Sequence, residues 1–295
     1  MTARRGLRLV LLASLAFATA SPMSRLARPA HPILIAAGRV ALAAILLAAW
    51  DLRGLVATVR GLPARTLART ALAGALLAGH FALFQWGLDR TSLTAAVSLV
   101  SLEPMAVVLS AWFFFRIVPR AFERIGLLVA TAGAIVVAQD AGRGDHTLEG
   151  DLYVLGAVVL FGLYVASARG LRSALPALHY APLVYAAAGV CLAIILPLAP
   201  TTPTAVVNGL SWTSFAWIAA LGIIPTTIGH TLVQTGARTL SPSLLALVCP
   251  GETLGSIVIG ALLVRRAPSL VEGIGAALII AGALVAIAQP ERQGD

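Results

Sequence analysis

Ten apolar stretches follow one another along this chain, at about residues 8–24, 33–50, 67–88, 93–115, 121–139, 151–169, 180–198, 211–234, 242–264 and 269–288. A helix needs about 20 apolar residues to cross roughly 30 Å of hydrocarbon. The stretches are continuous and lack the alternation of a barrel strand, so the period is helical. Composition removes the other ways of burying them. Hydrophobic residues are 59% of the chain and charged residues 11%, where a soluble domain carries about 25% charge. Too few polar residues remain to cover a water-exposed surface. A soluble enzyme, a secreted disulfide scaffold and a disordered chain are excluded, and the expected fold class is an all-α integral membrane protein.

The charges fit the same reading. There are 21 basic residues against 12 acids, a formal +9. The arginines stand in short groups between apolar runs, as in membrane loops, and not on one basic face with aromatic neighbours, so nucleic acid is not expected as a partner. With the amino terminus inside, Arg4, Arg5, Arg8, Arg53, Arg60, Arg65, Arg69, Arg116, Arg120, Arg124, Arg169, Arg172, Arg238 and Arg292 fall on the inner side. Arg25, Arg28, Arg90, Arg143, Arg265 and Arg266 fall on the outer side. This excess places both termini in the cytoplasm of a bacterial inner-membrane protein. Arg4, Arg5 and Arg8 before an apolar run and Ala18-Thr19-Ala20 also resemble a signal peptide, but the repeat described next needs that run as its first span. Cys191 and Cys249 stand alone inside apolar runs, so no disulfide, metal site or cofactor is expected.

Shifting the sequence by 149 residues brings Gln85 onto Gln234, Glu103 onto Glu252, Glu123 onto Glu272, Gly126 onto Gly275 and Gly133 onto Gly282. Hydrophobic matches between apolar helices are cheap; matches of carboxylates and an amide are not. The halves divide near residue 142, giving five spans in 1–142 and five in 143–295. Because five is odd, the halves must cross in opposite directions. Such inverted repeats are characteristic of secondary transporters with a site near the midplane.

Charge inside hydrocarbon costs roughly 2.5–3.5 kcal/mol or more, so an ionisable group there is expected to face a cavity or a partner. Five stand out: Arg39, His80, Glu103, His230 and Glu252. Arg39, Glu103 and Glu252 are read as gating or charge-coupling residues. His80 with Gln85, and His230 with Gln234, sit in corresponding spans, but His80 and Gln85 lie roughly 140° apart on a regular helix. Both can line one cavity only if that helix kinks near Gly79 or Gly87. Glu103 precedes Pro104 and Pro250 precedes Glu252, so breaks beside an acid are expected in spans four and nine. Pro225 offers a further hinge. Ser98, Ser101 and Tyr164 complete the expected substrate-binding set, while Gly251 and Gly255 read as helix packing. No nucleophile–base pair, phosphate loop or zinc-protease motif is found, so the chain is not expected to be an enzyme.

Arg39 opening "RVALAAILL", the stretch "SLTAAVSLVSLEPMAVVLSAWFFF" from Ser92 and the Gly-rich fifth and tenth spans resemble the drug/metabolite transporter superfamily, in its ten-span EamA-type form. The third-span "GHFALFQWGLDRTSL" is similar to the branch that exports aromatic and other amino acids. The resemblance implies a small-molecule substrate, alternating access, and a cavity lined by spans one to four and six to nine, with five and ten outside. Membrane lipid is the expected surrounding partner. Multidrug efflux of lipophilic cations, with Glu103 or Glu252 as counter-charge, is the alternative cargo. One departure is plain: many relatives end spans four and nine with a Gly-Glu pair, where this chain reads "FFFRIVP" and "LLVRRAP".

Overall fold

The computed structural model describes residues 3–116, 118–169, 171, 174–198, 209–229, 231–232, 248–265 and 267–287. Among these there is no strand. The helices are α1 (Ala3–Ala18), α2 (Ala20–Leu26), α3 (Pro32–Trp50), α4 (Leu52–Gly61), α5 (Ala64–Arg90), α6 (Leu93–Val100), α7 (Glu103–Phe115), α8 (Ala121–Ala138), α9 (Leu148–Arg169) and α10 (Ala177–Ile195). They continue with α11 (Trp212–Leu221), which runs on as a π-helix over Gly222–Gly229, then α12 (Val248–Val264) and α13 (Leu270–Ile287). Among the described residues, seven stretches are long and apolar enough to cross a membrane: α3, α5, α6 with α7, α8, α9, α10, and α11 with its π-helix. α1 with α2, α12 and α13 fill the other three expected spans as shorter segments. The side chains that cover the outside include Leu11, Ile45, Phe113, Leu128, Val159, Val190 and Leu262, all exposed. A water-soluble protein does not carry so broad an apolar surface; here its solvent is lipid.

Local chemistry sets the helix ends. His31 Nδ1 accepts from Ile33 N at 3.2 Å with Pro32 in the first turn of α3, and Asp51 caps α4 by accepting from Gly54 N at 3.0 Å. α4 is a short helix absent from the sequence-based spans. It presents Arg53 and Arg60 outward and buries Leu55, the pattern of a helix lying at a membrane interface. Two acids that the 149-residue shift superposes perform one capping task. Glu123 accepts from Arg120 N at 2.6 Å at the start of α8, and Glu272 accepts from Ser269 N at 2.9 Å at the start of α13. Their match therefore marks helix starts and not a transport site.

Close packing relies on small residues. Gly251 and Gly255 of α12 face Ser14 and Ala18 of α1, as the small-xxx-small spacing implies. α8 and α13 pack along each other's length. A Cβ on Gly126 would lie 2.5 Å from Gly282 O, and one on Gly275 would lie 2.9 Å from Gly133 O, so both helices approach at backbone distance. α3 packs on α10, and α5 on both α9 and α10, around a core that includes Ile33, Val40, Leu77, Phe81, Tyr185 and Leu192. A second core joins α5, α6, α7 and α9 to α8 and α13 through Leu88, Leu99, Met105, Val158 and Ile279.

Spans four and nine both end on a left-handed residue: Arg116 at φ 55° and Arg265 at φ 56°. These are the places where glycine was expected from the family pattern. A Cβ makes this conformation cost about 1–2 kcal/mol, and glycine is the usual occupant of such a helix end. Arg116→Gly and Arg265→Gly are each expected to raise stability by about 1 kcal/mol, read as a higher melting temperature of the detergent-purified protein. A lower melting temperature in both would contradict these backbone conformations.

Candidate functional site

Two breaks in the helices make the centre of the bundle polar. Pro104 stands in the first turn of α7 and cannot continue the hydrogen-bonding of α6, so the fourth span divides at Ser101–Leu102. Glu103 becomes the first residue of α7, where the helix N-terminus favours an acid. Pro225 has the matching effect in span eight. Lacking an amide hydrogen, it leaves Leu221 O without its helical donor, and the Thr226 hydroxyl donates to that carbonyl at 2.7 Å. The Thr227 hydroxyl donates to Gly222 O at 2.8 Å, again five residues back, within the π-helical turn.

The ionisable groups converge between these breaks. Arg39 is buried; its Nε donates to Thr226 Oγ1 at 3.1 Å and its guanidinium lies 4.6 Å from the centre of the Phe81 ring. Glu252 and Tyr185 are its electrostatic neighbours. His80 Nδ1 donates to Ala157 O on α9 at 2.9 Å, which fixes the ring and turns Nε2 toward Glu103 Oε1, 3.9 Å away. Phe81, Phe84 and Phe161 surround the imidazole with ring centres 5.1, 6.4 and 5.3 Å from it. Glu103 and Glu252 line one small cavity of about 10 Å³ with Ser21, Val97, Val100, Ser101 and Thr253. That is room for about one water. The hydroxyls of Ser101 and Thr253 meet across it.

Several expected site residues are thus brought together: Arg39, His80, Glu103, Glu252 and Ser101. Ser98 is buried one turn from Ser101, with its hydroxyl unpartnered among the described residues. Tyr164 stacks obliquely on Phe161 at 6.0 Å and packs with Tyr180 against the core around Tyr185. Gln85 goes elsewhere. α5 is one uninterrupted helix, so Gln85 faces away from His80 and its amide donates to Ser24 Oγ on α2 at 3.0 Å. His230 and Gln234 lie outside the described residues. The sequence reading passed over Ser21, Thr226, Thr253, Tyr180 and Tyr185. Each is a polar group inside an apolar run, the same signal that exposed the others, and Thr226 also adjoins Pro225.

The model of the EamA-like transporter family matches residues 4–139 and again 148–288. The chain belongs to the EamA-like transporter family. It is a multi-pass membrane transporter of small molecules and not an enzyme. It is 22% identical over 227 residues to the "Uncharacterized transporter YxxF" of Bacillus subtilis (strain 168), covering 74% of this chain and 70% of that one. A solved structure titled "Crystal structure of protein" superposes with a TM-score of 0.67 at 22% identity, over 97% of each chain, and so shares the fold.

For this EamA-like chain, Thr226 is the pivot of the positive side of the site. Thr226→Val keeps the shape but removes the acceptor of Arg39 Nε and the donor to Leu221 O. A loss of about 1–3 kcal/mol is expected, the cost of leaving buried polar groups unpaired, read as a lower melting temperature. Thr226→Ser should restore most of it. A Val variant as stable as wild type would contradict the pairing.

Proposed function

We propose that this protein is a secondary transporter exporting small metabolites, foremost amino acids with aromatic and other neutral side chains, across the bacterial inner membrane by alternating access. The observation that carries the reading is the meeting of Arg39 and His80 with Glu103 and Glu252 beside Phe81, Phe84 and Phe161. A zwitterion needs a cation for its carboxylate, an acid for its ammonium, and apolar rings for its side chain; all three kinds of group face one centre.

The alternating-access part rests on symmetry. Residues 1–142 and 143–295 act as two five-helix repeats of opposite topology, with both termini cytoplasmic. The family model matching once in each half supports this. So do the reciprocal contacts of α8 and α13: Gly126 meets Gly282 and Ala286, while Gly275 meets Gly133 and Val137. Each member of the first set is 149 residues from its counterpart in the second. Residue i touches j and its counterpart returns the contact, the signature of a two-fold relation. Two halves so related have two equivalent tilts, one open to each side. A cationic drug is the second reading, favoured by the two acids lining the same cavity.

Counterflow in proteoliposomes preloaded with unlabelled amino acids tests the proposal. Wild type should take up labelled Phe, Met, Leu or Thr. His80→Ala and Glu103→Gln should each lose at least about tenfold, the effect of roughly 1.4 kcal/mol. No counterflow with any amino acid, but counterflow with a lipophilic cation, would replace the first cargo by the second. Uptake by both variants equal to wild type would move the site elsewhere.

A further inference from the structure

A second buried polar centre lies well away from the first in sequence and in fold, where the α8–α9 connection meets the starts of α6 and α13. It gathers Asp140, His146, Asp151 and Glu272, each 2% exposed or less. Three carboxylates and one imidazole are thus withdrawn from water. The cation that reaches Asp140 is Arg143, at 3.2 Å from Oδ1, and its side chain is 75% exposed. Carboxylates so far withdrawn from water need hydrogen-bonding or positive partners close by.

The imidazole shows where one such partner belongs. Asp151 Oδ2 lies 2.8 Å from His146 Nε2 and holds the proton there; its other oxygen accepts from the Thr91 hydroxyl at 2.7 Å. Nδ1 is fully buried, makes no hydrogen bond among the described residues, and faces Glu272 Oε1 at 3.6 Å. A metal ion between Nδ1 and Glu272 Oε1 would take the place of the ring's second proton. One donor atom each from Asp140, His146 and Glu272 lie within 4.8 Å of one another. Ligands about 2.1 Å from a shared tetrahedral ion are separated by about 3.4 Å, so small side-chain adjustments close the set. The carboxylates are already oriented: Ser269 Oγ donates to Asp140 Oδ2 at 2.6 Å, Ser269 N to Glu272 Oε2 at 2.9 Å, and Ser92 Oγ to Glu272 Oε1. A carboxylate behind a metal-binding histidine is the usual outer partner that fixes its tautomer.

We propose that Asp140, His146 and Glu272 form a binding site for one divalent transition-metal cation, with Asp151 as the positioning residue behind His146. The nitrogen donor selects an ion of the zinc class over magnesium or calcium, which prefer all-oxygen sets. The ion ties the end of α8 and the following connection to the start of α13, and through Ser92 to α6. It therefore clamps together elements from both halves at one face of the membrane, whatever the transported cargo.

The test uses the full-length, tag-free protein in detergent, stripped with EDTA and then given zinc chloride. Wild type should retain about one zinc per chain after desalting and melt at a higher temperature with zinc than with EDTA. His146→Ala and Glu272→Gln should abolish retention. Asp151→Asn keeps all three ligands and should weaken zinc binding by about 10–100-fold; because it preserves shape, it carries the test should a ligand variant fail to fold. Wild type that retains no zinc, or variants that all bind zinc as wild type does, would overturn the site.

Discussion

A backbone carbonyl inside hydrocarbon has no water to turn to, so a transmembrane helix interrupts itself only where another group takes over the lost bond. The centre of this transporter follows from that constraint. Pro225 frees Leu221 O, and Thr226 satisfies it. The same hydroxyl then accepts from Arg39, so one threonine answers both the helix defect and the buried cation. In the fourth span, Pro104 divides the helix and leaves Glu103 at a fresh helix start. Helix breaks and charges coincide because each makes the other tolerable.

The periphery obeys a different rule. Lipid tails are as apolar as leucine side chains, so helices gain by approaching closely enough for dispersion contacts to accumulate. Gly126, Gly133, Gly275 and Gly282 bring α8 and α13 to backbone contact. Gly251 and Gly255 do so for α12 against α1. Both seams join a helix of residues 1–142 to a helix of residues 143–295.

Much of this was legible in the sequence, and the parts that were not share a cause. Apolar runs disclosed the helices, and Glu103-Pro104 disclosed the break in span four, because both are local. Gln85 could join His80 only through a kink near Gly79 or Gly87, but the helix is unbroken and turns it to Ser24, 61 positions away. The match of Glu123 with Glu272 was real, yet its reason is helix capping. Arg116 and Arg265 occupy left-handed helix ends that composition alone could not reveal, since glycine is the residue that normally signals them. The cluster around His146 was invisible because its members sit near span ends, where a polar residue ordinarily faces water.

The polar centre is the place for the most direct measurement. In a background with Cys191 and Cys249 replaced by serine, Ser101→Cys places a thiol in the cavity beside Glu103 and Glu252. A small membrane-impermeant thiol reagent is applied to right-side-out and to inverted vesicles. A centre that opens alternately to each face should be modified from both sides. Modification from one side alone, or from neither, would contradict it.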